Sequence, residues 1–119
     1  MDKMIFIVDD NDANLTVAAS ALENDYKVLT MPSAQKMFAL LEKKQPDLIL
    51  LDIEMPEMTG FQAIVKLKEN PQWKEIPVIF LTGLEDENLR NESLKAGALE
   101  VVSKPIVKSA LLERVKSHI

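Results

Sequence analysis

Three aspartates in this 119-residue chain follow short apolar runs: Asp9 and Asp10 in MIFIVDDN (4–11), and Asp52 in LILLDIEMP (48–56). Two more polar side chains stand in the same kind of place, Thr82 after VIFL and Lys104 after EVVS. If the chain gathers these run ends, three carboxylates come within a few ångströms of one another, since neighbouring strands lie about 5 Å apart. Their mutual repulsion then calls for a cation among them. Mg²⁺ fits best, because it is a hard ion that takes oxygen ligands and keeps several waters; two or three carboxylates and a backbone carbonyl suffice. Lys104, on a long flexible side chain, adds further positive charge.

Whether these residues meet depends on the elements between them. Short apolar runs at 4–8, 26–30, 48–51, 78–82 and 100–103 alternate with longer amphipathic segments. The first, third and fourth runs are continuously apolar, the pattern of strands covered on both faces in a parallel sheet. Leu15, Ala18, Ala19 and Leu22 at helical spacing predict a helix over 13–23, and Met37, Phe38, Leu40 and Leu41 one over 34–44. Phe61, Ile64, Val65 and Leu67 mark a third, which Asn70-Pro71 ends. The fourth, over 86–95, is weakly apolar and stops at Ala96-Gly97; the fifth runs over 109–116 with Leu111, Leu112 and Val115 facing inward. The expected architecture is α/β: a doubly wound (βα)5 chain, its five-stranded parallel sheet ordered 2-1-3-4-5, helices on both faces. Right-handed crossovers then place every strand's C-terminal end on one edge, and the strand order reverses between the first and third strands. Asp10 and Asp52 would face each other there.

An Asp behind a strand is more often a helix cap or turn residue than a ligand. What outweighs that reading is the conjunction of four strands, each ending in a polar group, on the one edge where this topology builds sites. Composition limits the alternatives. Hydrophobic residues at 47% and charged residues at 28% are ordinary for one globular domain of this length, residues 1–119. A net charge of −5 without a Lys/Arg stripe argues against direct nucleic-acid contact. There is no cysteine, hence no disulfide or thiolate metal site, and the apolar run at the N-terminus is too short for a signal peptide or membrane span. A soluble cytoplasmic protein is expected, with no membrane contact.

At these residues the chain resembles the response-regulator receiver domains of two-component signalling, which share a flavodoxin-like fold. The resemblance covers essentially the whole chain and rests on VDDN (8–11), Asp52 in LLDIEMPEMTGF, Thr82 in IFLTG and Lys104-Pro105 in VSKPI. It implies that Asp52 accepts a phosphoryl group from a histidine kinase or phosphotransfer protein in a Mg²⁺-dependent reaction. Asp10 would ligate the ion directly, Asp9 mainly through water, with Asp52 and the backbone carbonyl of Glu54 completing the protein's share. Thr82 and Lys104 would bind the phosphoryl oxygens, and Lys104-Pro105 would be a cis peptide. Such a domain is a switch, not an enzyme beyond self-phosphorylation from small donors and self-dephosphorylation. It would control a partner or a C-terminal output domain, and a homodimer through the fourth helix, fifth strand and fifth helix is a further implication.

Small Gly83 is expected to leave room at the pocket, and the Glu54 side chain to point to solvent with its charge near the phosphoryl group. Leu84 would stand near the site and limit water access. Three residues before Lys104, many receivers carry an aromatic side chain; Val101 here puts coupling through that rotamer in doubt, leaving the loop after Thr82 and the fourth helix to transmit the change. Met55 and Met58 are read as loop packing, Trp73 as a cover for the core's edge, His118 as solvated, and Glu85, Asp86 and Glu87 as a favourable first helical turn. Competing functions fit less well. A phosphorylation-independent dimerisation or docking module has no need of an intact Asp9, Asp10, Asp52, Thr82 and Lys104. A Mg²⁺-dependent haloacid-dehalogenase-type hydrolase would carry DxDx[TV] and a cap. A flavin phosphate would be repelled by DDND, and no GxxxxGK is present for a nucleotide.

Overall fold

The computed structural model describes residues 2–84 and 86–119. Strands and helices alternate: β1 (Met4–Val8), α1 (Asp12–Leu22), β2 (Lys27–Met31), α2 (Ala34–Leu41), β3 (Leu48–Asp52), α3 (Gly60–Glu69), β4 (Val78–Thr82), α4 (Glu87–Ala96), β5 (Glu100–Ser103) and α5 (Lys108–Lys116). All pairings are parallel, in the order β2-β1-β3-β4-β5. The expected topology is thus the observed one. Boundaries move by a residue or so, except that α2 ends at Leu41, the last residue of its apolar pattern and three short of the expected end at Lys44.

The continuous apolar runs work as predicted, feeding two cores on opposite faces. Phe6, Val8, Ile49, Leu51, Val78 and Phe80 turn toward α2 and α3, where Met37, Ile64 and Leu67 meet them. Ile5, Ile7, Leu48, Leu50, Ile79 and Leu81 turn the other way, onto Leu15, Ala18 and Leu22 of α1 and Leu111 and Val115 of α5. Burying each such Leu or Ile contributes about 1.5–3 kcal/mol, and together they fix the strands in register. Trp73 closes the lower edge of the first core against Phe38, ring centroids 5.6 Å apart. Met55 and Met58 pack into the same core from the loop, and Val65 of α3 is exposed.

α4 is different. Of its residues only Ser93 is buried, while Leu89 and Ala96 pack partly against the first core and Leu94 is 45% exposed. Its ends are nonetheless well formed: the Asp86 carboxylate accepts from the Asn88 amide, and Gly97 ends the helix in the left-handed region at φ 114°. Asp86 is therefore the N-cap and Glu87 the first-turn acid; Glu85 lies outside the described residues. No helix of the described residues is long and apolar enough to cross a membrane.

Candidate functional site

Ladder bonds continue one step past the strands and fix the backbone of the polar residues. The Asp9 amide donates to Met31 O at 3.2 Å, the Ile53 amide to Leu81 O at 3.0 Å and the Lys104 amide to Thr82 O at 2.7 Å. Asp9, Asp52 and Lys104 are thereby set at the C-terminal edge of the sheet, with Thr82 between them on β4. Capping is not what the aspartates do. α1 is capped by Asn11, whose side chain accepts from the Asn14 amide, while Asp9 Oδ1 accepts from the Asn11 amide at 2.9 Å and turns the chain into the helix.

The loop after Asp52 is drawn tightly back over the strand. The Gly60 amide donates to Ile53 O at 2.9 Å, and α3 starts there under a reciprocal cap between Thr59 and Gln62. A Cβ on Gly60 would lie 2.7 Å from Asp52 O and 2.8 Å from Ile53 Cα, so this approach requires glycine. Gly83 is another matter: a Cβ there would meet nothing within 4 Å, so the room its small size was expected to provide is not a demand of this packing.

Asp9 and Asp52 are 0% and 1% exposed, and Asp10 is exposed at the mouth. Each of the three offers a carboxylate oxygen, all within 4.8 Å of one another. The Lys104 ammonium reaches in between, 2.9 Å from Asp52 Oδ1 and 3.0 Å from Asp9 Oδ2. The first contact is a hydrogen bond; the second is a contact of charges whose angle makes none, so among the described residues the buried Asp9 Oδ2 has no hydrogen-bond partner. One ammonium facing two buried carboxylates leaves a negative charge over. Burial pushes the Asp52 carboxyl up to about 7, Asp9 adding to the rise and the Lys104 hydrogen bond opposing it. Burial alone would lower Lys104, but its hydrogen bond to Asp52 and its ion pair with Asp9 carry it above its ordinary value, so it stays charged. An excess of buried anion over cation and an all-oxygen donor set suit a hard divalent cation.

Thr82 is 1% exposed, and its hydroxyl donates to Glu54 Oε2 at 2.8 Å. The Gly83 amide donates to Glu54 Oε1 at 3.3 Å. This corrects the expectation that the Glu54 side chain points to solvent: although Glu54 is an exposed residue, its carboxylate turns in over the end of β4. The chain bends at Ile53, just past β3, and the Glu54 side chain meets donors at the end of β4 that are remote in sequence. Leu84 is 58% exposed and lines a groove with Leu89, Arg90 and Val101 beside α4, and its amide donates to Thr82 Oγ1 at 3.1 Å. Lys104-Pro105 is cis, as the resemblance implies. The His118 ring is not simply solvated; it contacts Glu100 Oε2, which ties the end of α5 to β5.

A family model described as the response regulator receiver domain matches residues 5–116. The chain is 36% identical over 115 residues to a probable cyclic di-GMP phosphodiesterase of Vibrio cholerae, covering 97% of this chain and 26% of that protein. It is 30% identical over 120 residues to the polar-differentiation response regulator DivK of Brucella ovis, covering 100% and 98%. In structure it is similar to the chemotaxis protein CheY4 of Vibrio cholerae, with a TM-score of 0.93, 25% identity and full coverage of both chains. The chain thus spans about a quarter of some relatives' length and nearly all of another's.

Proposed function

The chain belongs to the response regulator receiver domain family, and from that membership we propose which of its residues carry out phosphoryl acceptance and how. Phosphoacceptor signalling, not turnover of a substrate, is the activity that the family supports, and neither a phosphorylation-independent docking module nor a hydrolase is favoured. The phosphodiesterase named in the Vibrio relative describes a protein of which this chain matches 26%.

Asp52 is the acceptor. The observation that carries this is its carboxylate, buried at the end of β3 and hydrogen-bonded by the Lys104 ammonium that also faces Asp9, while exposed Asp10 stands at the mouth of the crevice. An Asp52 oxygen forms a bond to phosphorus as the bond to the donor's imidazole nitrogen breaks, and the electron pair leaves on that nitrogen. Asp9, Asp10, Asp52 and the backbone carbonyl of Glu54 would hold Mg²⁺. When bound, the ion neutralises charge on the transferring oxygens. Lys104 releases its hold on Asp52 and follows the phosphoryl oxygens, for which its long side chain gives reach. The Thr82 hydroxyl is the remaining donor at the end of β4. Phosphate brings about −1.5 to −2 charges and three strong acceptors, enough to draw that hydroxyl inward and shift the loop into α4.

The donor would be a histidine kinase or phosphotransfer protein, with acetyl phosphate and similar small molecules as substitutes. Residues 1–119 would act as one receiver domain in the cytoplasm, controlling a partner, a following output domain, or a homodimer through α4, β5 and α5. Incubation with Mg²⁺ and acetyl phosphate, followed by intact mass, tests the assignment. One added phosphoryl group is expected, absent from D52N and from samples with EDTA; addition to D52N at the wild-type level would refute it.

A further inference from the structure

Glu54 makes a contact at this site that phosphoryl acceptance leaves unused. Its carboxylate takes two donors at once, the Thr82 hydroxyl at 2.8 Å and the Gly83 amide at 3.3 Å. The hydroxyl's single proton is committed to this contact, while its oxygen accepts from the Leu84 amide at 3.1 Å. On its own amide side Glu54 donates to Asp52 Oδ1 at 3.3 Å. One residue thus spans the ends of β3 and β4, touching the acceptor with its backbone and the switch hydroxyl with its side chain. Holding a long exposed side chain in one arrangement costs rotamer entropy. Two charge-assisted contacts offset that cost.

A planar anion that accepts from a hydroxyl and the next backbone amide presents the same chemistry as two oxygens of a phosphoryl group. We propose that the Glu54 carboxylate is an internal stand-in for the phosphoryl group, a positioning residue that occupies the Thr82 and Gly83 donors in the unphosphorylated protein and must be displaced when Asp52 is modified. The inference rests on the reading of Asp52 as phosphoacceptor. Two anions cannot share one hydroxyl proton, so the contact is a brake on the switch, set by the difference between its hold on Thr82 and the phosphate's. Phosphate, with more charge, wins that competition. The brake also gives the Thr82 hydroxyl a defined resting place on Glu54.

The test compares wild type, E54A and E54D, with D52N as the background in which no phosphoryl group can be attached. Without any phosphodonor, E54A should shift the Gly83 amide resonance and speed its hydrogen exchange several-fold, in the D52N background as well. With Mg²⁺ and beryllofluoride as the phosphoryl mimic, E54A should reach half-saturation at about one-tenth the wild-type concentration, equivalent to about 1.4 kcal/mol. E54D keeps the charge but is one methylene too short to span both donors, so it should behave like E54A. Wild-type behaviour of E54D would reduce the effect to general repulsion of anions and overturn the stand-in. An unmoved Gly83 amide in E54A would overturn it too. Failure of wild type to respond to beryllofluoride while Gly83 still shifts in E54A would instead sink the phosphoacceptor reading, and the competition with it. Equal saturation in all three Asp52-bearing proteins would sink the competition alone.

Discussion

α1 and α4 flank the same edge of one sheet and are held to it in opposite ways. α1 sets Leu15, Ala18 and Leu22 into a core it shares with β1, β3 and α5, and its first turn grows directly out of the Asp9-Asp10 turn. α4 buries only Ser93, leans on Leu89 and Ala96, and leaves Leu94 in water. The buried ion cluster of Asp9, Asp52 and Lys104 sits on the well-packed side, and the polar contact of Thr82 with Glu54 faces the poorly packed one. A site that must hold several charges at close quarters needs fixed backbone, because a small displacement changes their repulsion steeply. A site that must report needs a neighbour whose displacement costs little, and elements with few buried apolar contacts open most easily. Both requirements are met within one crevice because the packing differs between its two walls.

Core truncation should expose that difference most strongly. Leu50 is 0% exposed in the centre of β3, so L50A should cost about 2–5 kcal/mol in chemical denaturation. L94A, on the exposed side of α4, should stay within about 0.5 kcal/mol of wild type. Comparable losses in the two variants would mean that α4 is as firmly docked as the centre of the sheet, and the contrast would fail.

The charge cluster gives the next largest effect, and its sign is fixed by the direction of the Asp52 shift. In the fold Asp52 keeps its proton up to about 7, against 3.8 as its ordinary value. Between those two values the folded protein binds a proton that the unfolded chain has released, so stability falls as pH rises through this window and the loss is complete above it. Denaturation midpoints of the metal-free protein, compared between about pH 5 and about pH 8, should therefore drop further for wild type than for D52N, which has no proton to release there. Mg²⁺ added at the higher pH should restore stability to wild type and do much less for D52N. A wild-type protein that loses no more than D52N over this range would show that Lys104 already balances both buried carboxylates.

Much of this was legible in the amino-acid sequence, for reasons that differ from residue to residue. Runs such as LILL and VIFL are apolar on both faces, as in doubly covered parallel strands, so the edge bearing Asp9, Asp52, Thr82 and Lys104 followed from crossover handedness, while the strand order was taken as the common one for this architecture. The assignment of roles to those residues came from family resemblance, because spacing alone cannot tell a nucleophile from a ligand. What escaped was local. α2 stops at Leu41 although Glu42, Lys43 and Lys44 are compatible with helix, since the chain must turn before Pro46 to enter β3. Glu54 was assigned to solvent because acidic loop residues normally are; its inward turn depends on two donors, Thr82 and Gly83, that lie 28 and 29 residues away. The exposure of Leu94 likewise depends on which way α4 rolls on β5, and with so few apolar residues its own pattern leaves that choice weakly determined.

The smallest expected effect is also the sharpest comparison of the two helices, since it removes the same kind of interaction from each. Asn11 caps α1 by accepting from the Asn14 amide, and Asp86 caps α4 by accepting from the Asn88 amide. Loss of such a cap costs about 0.5–2 kcal/mol wherever the helix must form for the protein to be folded. α1 has no alternative to forming, because Leu15 and Leu22 complete a core shared with β1, β3, β4 and α5, so N11A should lower global stability by close to the full amount. α4 has little apolar surface to lose. D86A should therefore appear as faster amide exchange confined to about residues 87–96, with a smaller change in the global midpoint, the helix fraying while the rest of the fold persists. Hydrogen exchange resolved by residue, read beside denaturation midpoints of both variants, separates these outcomes. If D86A lowered the midpoint as much as N11A and quickened exchange throughout the sheet, α4 would be a cooperative part of the global fold, and a loosely held reporter helix would no longer describe it.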